Sequence, residues 1–367
     1  MQEFEPMRTV EDERRVLRRW LWTAVAACLL LLAAVIPAPF VIERPGPTVD
    51  VLGDVELEDG ETQPVIEVRG APASDGEGSL RLLTVSVAGS PQHPRSWLSL
   101  VPALIDPSQQ VLPVDEVFPS GTTEEQRDAA NTVLMDDSQA KAAAAAFRYL
   151  GEDVPERIEV AAVIDPGPSV GALLEGDVIV QAGGAPVAGY AELRERIVAS
   201  GAGKPLELVV ERDGAEVETA VTPVVPDGGS EPMLGTTVAS EYELPRKVDF
   251  SLGDIGGPSA GLVFSLGVVE LMTPGSLFDG VQASGTGTIA SSGEVGPIGG
   301  LEQKMWAASR AGGGLFLMPI GNCADLPERI PDGLEVAPVA TLEEAVAAVE
   351  AVAEGRSPSG VERCTAG

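Results

Sequence analysis

The residues best suited to covalent chemistry are Ser259 and Lys304. Ser259 follows the turn Gly256-Gly257-Pro258 and opens an apolar helical pattern from Leu262 to Leu271. Lys304 lies early in a second helical pattern, Leu301 to Ala311, just after the pair Gly299-Gly300. A serine hydroxyl is a poor nucleophile until a base takes its proton. Lysine can be that base only when neutral, so its ordinary pKa of ~10.4 must fall to roughly 7–8. Burial in an apolar pocket disfavours the ammonium and can supply the fall, a difference of about 4 kcal/mol. Leu301, Met305, Trp306, Ala307 and Ala308 are suitable neighbours. Pro258 fits a first helical turn, where no N–H is needed, and the free N–H groups there can stabilise an oxyanion. On residues alone two readings stay open. Either Ser259 is a nucleophile and Lys304 its base, or Ser259 caps a helix and Lys304 is a surface cation.

The elements that must position such a pair belong to a chain of 367 residues, enough for two or three domains. Glycine and proline are abundant and aromatics sparse, yet 44% of residues are hydrophobic, which favours a folded, turn-rich protein. The formal charge of -32 is spread along the chain as an acidic solvated surface, and it argues against nucleic acid and anionic lipid as partners. The single histidine, His93, sits in a polar, proline-containing stretch and reads as a surface loop residue. A Ser-His-Asp protease is thereby excluded, and one histidine with three scattered cysteines gives no zinc pattern. No metal or cofactor is expected.

Residues 1–19 carry Arg8, Arg14, Arg15, Arg18 and Arg19, and no charged residue occurs from Trp20 to Ile42. That run is long enough to cross a bilayer as a helix. The basic excess before it predicts a cytoplasmic N-terminus with everything after Ile42 outside. A cleaved signal peptide is the alternative, opposed by the length of the run and by Pro37 and Pro39 at its end. Val65–Val68 and Leu80–Val87 read as strands, and Glu124–Leu150 as a helix capped by Thr122 or Thr123. Ser138 within it reads as a helix-surface or packing serine and not as a catalytic one. Cys323 and Cys364 both fall in the expected exterior and are expected to pair, with two free thiols as the alternative.

From Glu156 to Val225 strands alternate with one helix, Tyr190 to Ala199, and an Asp213-Gly214 hairpin signal. With Leu174-Glu175-Gly176-Asp177-Val178-Ile179 after a Gly-Pro-Ser stretch, this segment resembles a bacterial PDZ domain. The resemblance implies a groove between a strand and the helix that takes an extended peptide by strand addition. The loop that would hold a carboxylate is expected just before Ile158. The stretch Pro226–Pro232 reads as a linker.

The segment Asp254–Pro319 resembles the proteolytic domain of the Lon family of serine proteases. The resemblance rests on Gly257-Pro258-Ser259-Ala260-Gly261, on Thr286-Gly287-Thr288-Ile289, and on Pro297-Ile298-Gly299-Gly300-Leu301 before Lys304. With an anchor and a PDZ module ahead of it, the layout is similar to Lon-related membrane-anchored proteases of the YlbL type. Arg44-Pro45-Gly46-Pro47-Thr48 and Met135-Asp136-Asp137-Ser138-Gln139 fit that type too. The resemblance implies Ser259 as nucleophile, Lys304 as general base, Thr286 as support for the lysine, and N–H groups of Gly257 and Ser259 as oxyanion donors. Gly256 stands where ATP-dependent relatives often carry an acid, which leaves the part of Asp254 open. No Gly-x-x-x-x-Gly-Lys-Ser/Thr occurs, so no ATPase motor is expected.

The fold class implied is α/β: a mixed Lon-type proteolytic domain with an inserted β-rich PDZ domain and an N-terminal transmembrane helix. The expected divisions are a cytoplasmic segment 1–19, a membrane helix 20–42, the N-terminal part of the protease domain 43–154, PDZ 155–228, the catalytic segment 229–355 and a tail 356–367. The implied function is an ATP-independent Ser/Lys endopeptidase cleaving envelope or secreted proteins. Its partners would be protein or peptide substrates and the membrane, and the ring-forming habit of Lon-type domains leaves a homo-oligomer open. The alternative is a PDZ scaffold with a degenerate protease domain.

Overall fold

The computed structural model describes residues 10–56, 60, 62–72, 77–119, 123–226, 228–252 and 255–365; Arg8, Thr122 and Asp254 lie outside them. The first element among the described residues is helix α1 (Val10–Val35), whose exposed apolar part, Leu17–Val35, is long enough to cross a membrane. The expected span of 20–42 is corrected here. The helix ends at Val35, because Pro37 and Pro39 cannot supply helical N–H groups. Phe40–Ile42 already belong to strand β1 (Phe40–Asp50), with Val41 and Ile42 buried in the core.

Strand β1 is followed by β2 (Ser79–Ala88), β3 (Gln110–Pro113) and the long helix α2 (Glu124–Tyr149). Thr123 caps α2 in a reciprocal capping box with Gln126, an arrangement that contributes about 1 kcal/mol. The next elements are β4 (Glu156–Val163), β5 (Val178–Ala182), α3 (Tyr190–Ser200), β6 (Leu206–Arg212), β7 (Ala215–Val221) and β8 (Thr236–Tyr242). The C-terminal third supplies α4 (Gly261–Met272), β9 (Gln282–Gly285), β10 (Thr288–Ile289), β11 (Val295–Gly296), α5 (Leu301–Arg310), β12 (Gly314–Pro319), β13 (Leu334–Val339) and α6 (Leu342–Ala353).

Two sheets organise these elements. The larger runs β13-β12-β9-β2-β1-β3, parallel across its first four strands and antiparallel where β1 meets β2 and β3. Its parallel part is built by the alternation of strand and helix late in the chain. Helix α4 is buried from Gly261 through Glu270. Its pattern is apolar on every side because it lies within the core, not on its surface. The alanine run Ala142–Ala146 of α2 lets the two helices approach, and Ser265 donates to the Ala142 carbonyl at 3.0 Å.

The smaller sheet runs β7-β6-β5-β4-β8, antiparallel throughout, over its own core that includes Ile158, Leu173, Leu193 and Leu208. The Asp213-Gly214 turn has positive φ at both residues, as a two-residue hairpin requires. Its last strand, β8, comes from beyond the expected linker: Thr236–Tyr242 pairs with Val163–Glu156. The two units meet at Glu156, which is largely buried. Its carboxylate accepts from Ser240 Oγ at 2.8 Å, Ser291 Oγ at 3.2 Å, the Tyr190 N–H at 3.2 Å and Arg148 at 3.3 Å.

Cys323 and Cys364 are joined, a link between residues 41 apart that ties the C-terminal tail to the large sheet's unit. Arg363 reinforces the tail through Glu344 and the Pro338 carbonyl. A non-reduced digest should therefore yield one linked peptide pair. Changing both cysteines to serine should lower stability by roughly 2–4 kcal/mol, read from the denaturant midpoint.

Candidate active site

The site is assembled from three segments. The first is the turn before α4. Gly257 has φ 102°, a conformation that favours glycine, and turns the chain into a short 3-10 turn, Pro258–Ala260, that leads into the helix. The second is the segment after β9, where Thr286 is buried and its N–H is tied to the Leu317 carbonyl. The third is the first turn of α5. Gly300 stands there with φ 66°, and a Cβ on it would lie 2.7 Å from Val85 Cγ2, so glycine lets the helix start close against β2.

These segments bring Ser259, Thr286 and Lys304 into contact. Lys304 Nζ donates to Ser259 Oγ at 2.9 Å and to Thr286 Oγ1 at 3.1 Å. Thr286 donates its own proton to the Ser259 carbonyl at 3.2 Å, and the same carbonyl accepts from the Gly287 N–H at 2.9 Å. Its hydroxyl hydrogen being spent there, Thr286 faces Lys304 as an acceptor. Lys304 is 3% exposed, and burial pushes its pKa down to about 8, partly opposed by the carboxylate of Glu43. Glu43 in turn is raised by burial, with Lys304 and Arg127 acting the other way. Ser259 itself remains half-buried, at the wall of a cleft of about 530 Å³ lined also by Glu43, Arg127, Asn131 and Pro297.

Glu43, Arg127 and Asn131 had no signal in the sequence: they sit on β1 and α2, far from the motif in the chain. Ser138, buried on α2, donates to the Pro258 carbonyl at 3.1 Å and braces the serine turn. Gly257 is corrected as an oxyanion donor, because its N–H is held by the Asn131 carbonyl at 3.0 Å. The N–H of Ser259 stands at the start of the turn, where no earlier helical carbonyl can accept it.

A second cavity, about 790 Å³, lies between α3 and β8. Tyr190, Leu193, Ile197, Met233 and Ile164 give it apolar walls, and Pro258 and Thr288 line both this cavity and the cleft beside Ser259. The expectation of a carboxylate loop just before Ile158 is not met. β4 is paired on both sides, so it offers no open edge. The free edge beside α3 belongs to β8, preceded by Leu234-Gly235 with φ +70° at the glycine.

Residues 253–351 match the Lon protease (S16) C-terminal proteolytic domain. The chain carries a Lon-type proteolytic domain. Residues 131–222 match the PDZ domain, a match that begins on α2 and stops before β8. The Lon protease of Rhizobium meliloti (strain 1021) is 38% identical over 94 residues, 25% of this chain and 11% of that protein. The Lon protease of Escherichia coli (strain K12) is 39% identical over 114 residues, 30% of this chain and 14% of that protein. This chain thus covers only a small part of the curated relatives it matches. Among solved structures, the PDZ domain of the SdrC-like protein from Listeria monocytogenes is 20% identical with a TM-score of 0.21, over 22% of this chain and 85% of that one.

The buried ammonium of Lys304 has a measurable consequence in the Lon-type domain. Its folded-state pKa of about 8 is below the ordinary value of 10.5. The unfolded chain therefore holds this proton more tightly, and the penalty is full below pH 8 and fades as pH rises toward the unfolded pKa. At full strength it is on the order of 3 kcal/mol. Lys304→Met should raise the denaturant midpoint at pH 7 and lose that advantage near pH 10.

Proposed function

We propose that this protein is an ATP-independent serine endopeptidase, anchored by α1 with its Lon-type and PDZ units outside the membrane. The observation that carries the chemistry is the 2.9 Å contact between Lys304 Nζ and Ser259 Oγ, in a pocket that holds the lysine pKa near 8. A degenerate domain serving only as scaffold would have no need of this contact or of the cleft beside it.

In this reading neutral Lys304 takes the proton of Ser259 as Oγ attacks the scissile carbonyl. The charge on the carbonyl oxygen develops toward the N–H of Ser259. Lys304 returns the proton to the leaving amine, an acyl-enzyme forms on Oγ, and water activated by the same lysine hydrolyses it. Thr286, facing the lysine as an acceptor, steadies the ammonium in each half-reaction. Glu43 acts on Lys304 against burial, favouring the protonated form.

The outside placement rests on Arg14, Arg15, Arg18 and Arg19 before the apolar run and on the Cys323–Cys364 bond, which persists in an oxidising compartment. Substrates are protein chains that offer an extended segment to the free edge of β8, with side chains falling on Leu193 and Ile197 of α3. The shared wall at Pro258 and Thr288 passes such a chain to Ser259.

Peptide hydrolysis by the purified full-length protein tests the chemistry. Ser259→Ala and Lys304→Ala should each abolish it, with little added loss in the double variant. Lys304→Arg should be equally inactive, since a guanidinium keeps its proton at working pH. The rate should rise with pH through an apparent pKa near 8, and Thr286→Val should cost less than either dyad change. A folded Lys304→Arg protein with substantial turnover ends the Ser/Lys reading.

The groove has its own test. Ile197→Asp should leave turnover of a short unstructured peptide near wild type and lower kcat/KM for a folded protein with an extended tail by about tenfold, the worth of one apolar anchor. Equal loss on both substrates would count against a separate docking role.

A further inference from the structure

The outer end of α1 is not bare. The segment Ser96–Ile105 is pinned against it: the Ala38 N–H donates to the Arg95 carbonyl at 2.7 Å, the Trp97 N–H to the Ile36 carbonyl at 3.4 Å, and Pro37 bridges to Ser96. The Trp97 ring meets Phe40 edge-on at 5.7 Å. From Ser96 to Ile105 there is no charged residue. The segment winds through a 3-10 turn, Trp97–Leu100, and continues as turns to Ile105.

Its two faces are both apolar. Leu100 and Ala103 point inward, to a small cluster with Ala38, Ile42 and Ala88. Trp97, Leu98, Val101, Leu104 and Ile105 point outward and are 45, 41, 47, 72 and 78% exposed. A surface turn normally puts polar residues on its outer face, and a contiguous apolar patch marks a contact. The position of this patch names the contact. It continues the exposed apolar surface of Val35 and Ile36 at the end of the one helix, among the described residues, that is long and apolar enough to cross a membrane.

The aromatic residues mark the same level. Trp20 and Trp22 stand near the start of the apolar run, beside Arg18 and Arg19, and Trp97 stands at its exit. Tryptophan favours both water–lipid interfaces of a spanning segment. Leu17–Val35 as a helix is ~28 Å long, close to the ~30 Å hydrocarbon thickness, so Trp97 falls where the second interface begins. Asp106, which closes the uncharged stretch, has its carboxylate turned back onto Ser108 and Gln109.

We propose that Trp97–Ile105 dips into the outer interface of the bilayer that α1 crosses, as a second and shallow lipid attachment. This rests on the anchor reading of α1. The occupant is lipid, with acyl-chain boundary against Leu98, Val101, Leu104 and Ile105 and headgroups at the level of Trp97. The acidity of the chain makes zwitterionic lipid the suitable surface.

The full-length protein in phosphatidylcholine vesicles tests it. An environment-sensitive fluorophore is attached in detergent, before reconstitution, at one of three places: native Cys28 on α1; Leu104→Cys in a Cys28→Ser background; or Glu216→Cys in that background, on the β6–β7 hairpin of the smaller unit. All three positions are exposed, so the labels leave the core untouched. Nitroxide-bearing lipids are then added as quenchers. The expected result is a blue-shifted, strongly quenched label at 104, a quenched label at 28 and an aqueous, unquenched label at 216. If 28 is quenched while 104 reads like 216, the second attachment is overturned and the anchor stands. If 28 itself escapes quenching, the anchor reading falls and the proposal with it.

Discussion

The burial of one amine sets the terms for the rest of the unit around Ser259. A lysine at 3% exposure is costly as a cation, and the surrounding structure is arranged to hold it there anyway. Glycine at 300 lets α5 begin hard against β2, the buried α4 fixes the serine opposite, and Thr286 presents its acceptor lone pair because its hydrogen is committed elsewhere. Together they hold Lys304 Nζ and Ser259 Oγ within hydrogen-bond reach in a pocket that disfavours the ammonium.

Much of this site was legible in the sequence because its signals are local. Ser259, Thr286 and Lys304 sit beside glycines whose spacing announces turns, and the helices that follow are apolar enough to place the residues near a core. Glu43, Arg127 and Asn131 reach the same cleft from elements folded in from more than a hundred residues away, and nothing near them in the chain marks that destination. The motif implies an oxyanion role for Gly257, but that role depends on where its N–H points, and Asn131 decides that from α2.

The fold was legible in the same uneven way. Strong alternation and turn chemistry mark the strands around Asp213-Gly214 and a helix from Tyr190 to Ala199, one residue short of the helix observed. The break at Val35 was concealed because a charge-free run continues to Ile42 through residues that are apolar for a different reason: they enter a sheet core and not a bilayer. Strand β8 was concealed because Thr236–Tyr242 is polar on its outward face and follows a proline- and glycine-rich stretch that looks like the end of a unit.

That late strand changes what kind of object the smaller unit is. Its first and last strands are neighbours, with Glu156 directly opposite Tyr242, so the chain leaves and rejoins the larger unit at adjacent points. Seen from the host, some eighty intervening residues amount topologically to the tip of one hairpin, whose two stems are ~5 Å apart. Closing that gap costs the host little more than closing a short loop, since loop entropy grows only with the logarithm of length. Such an arrangement lets the guest be lengthened, shortened or exchanged over evolutionary time without disturbing the fold that carries Ser259, provided both stems are kept.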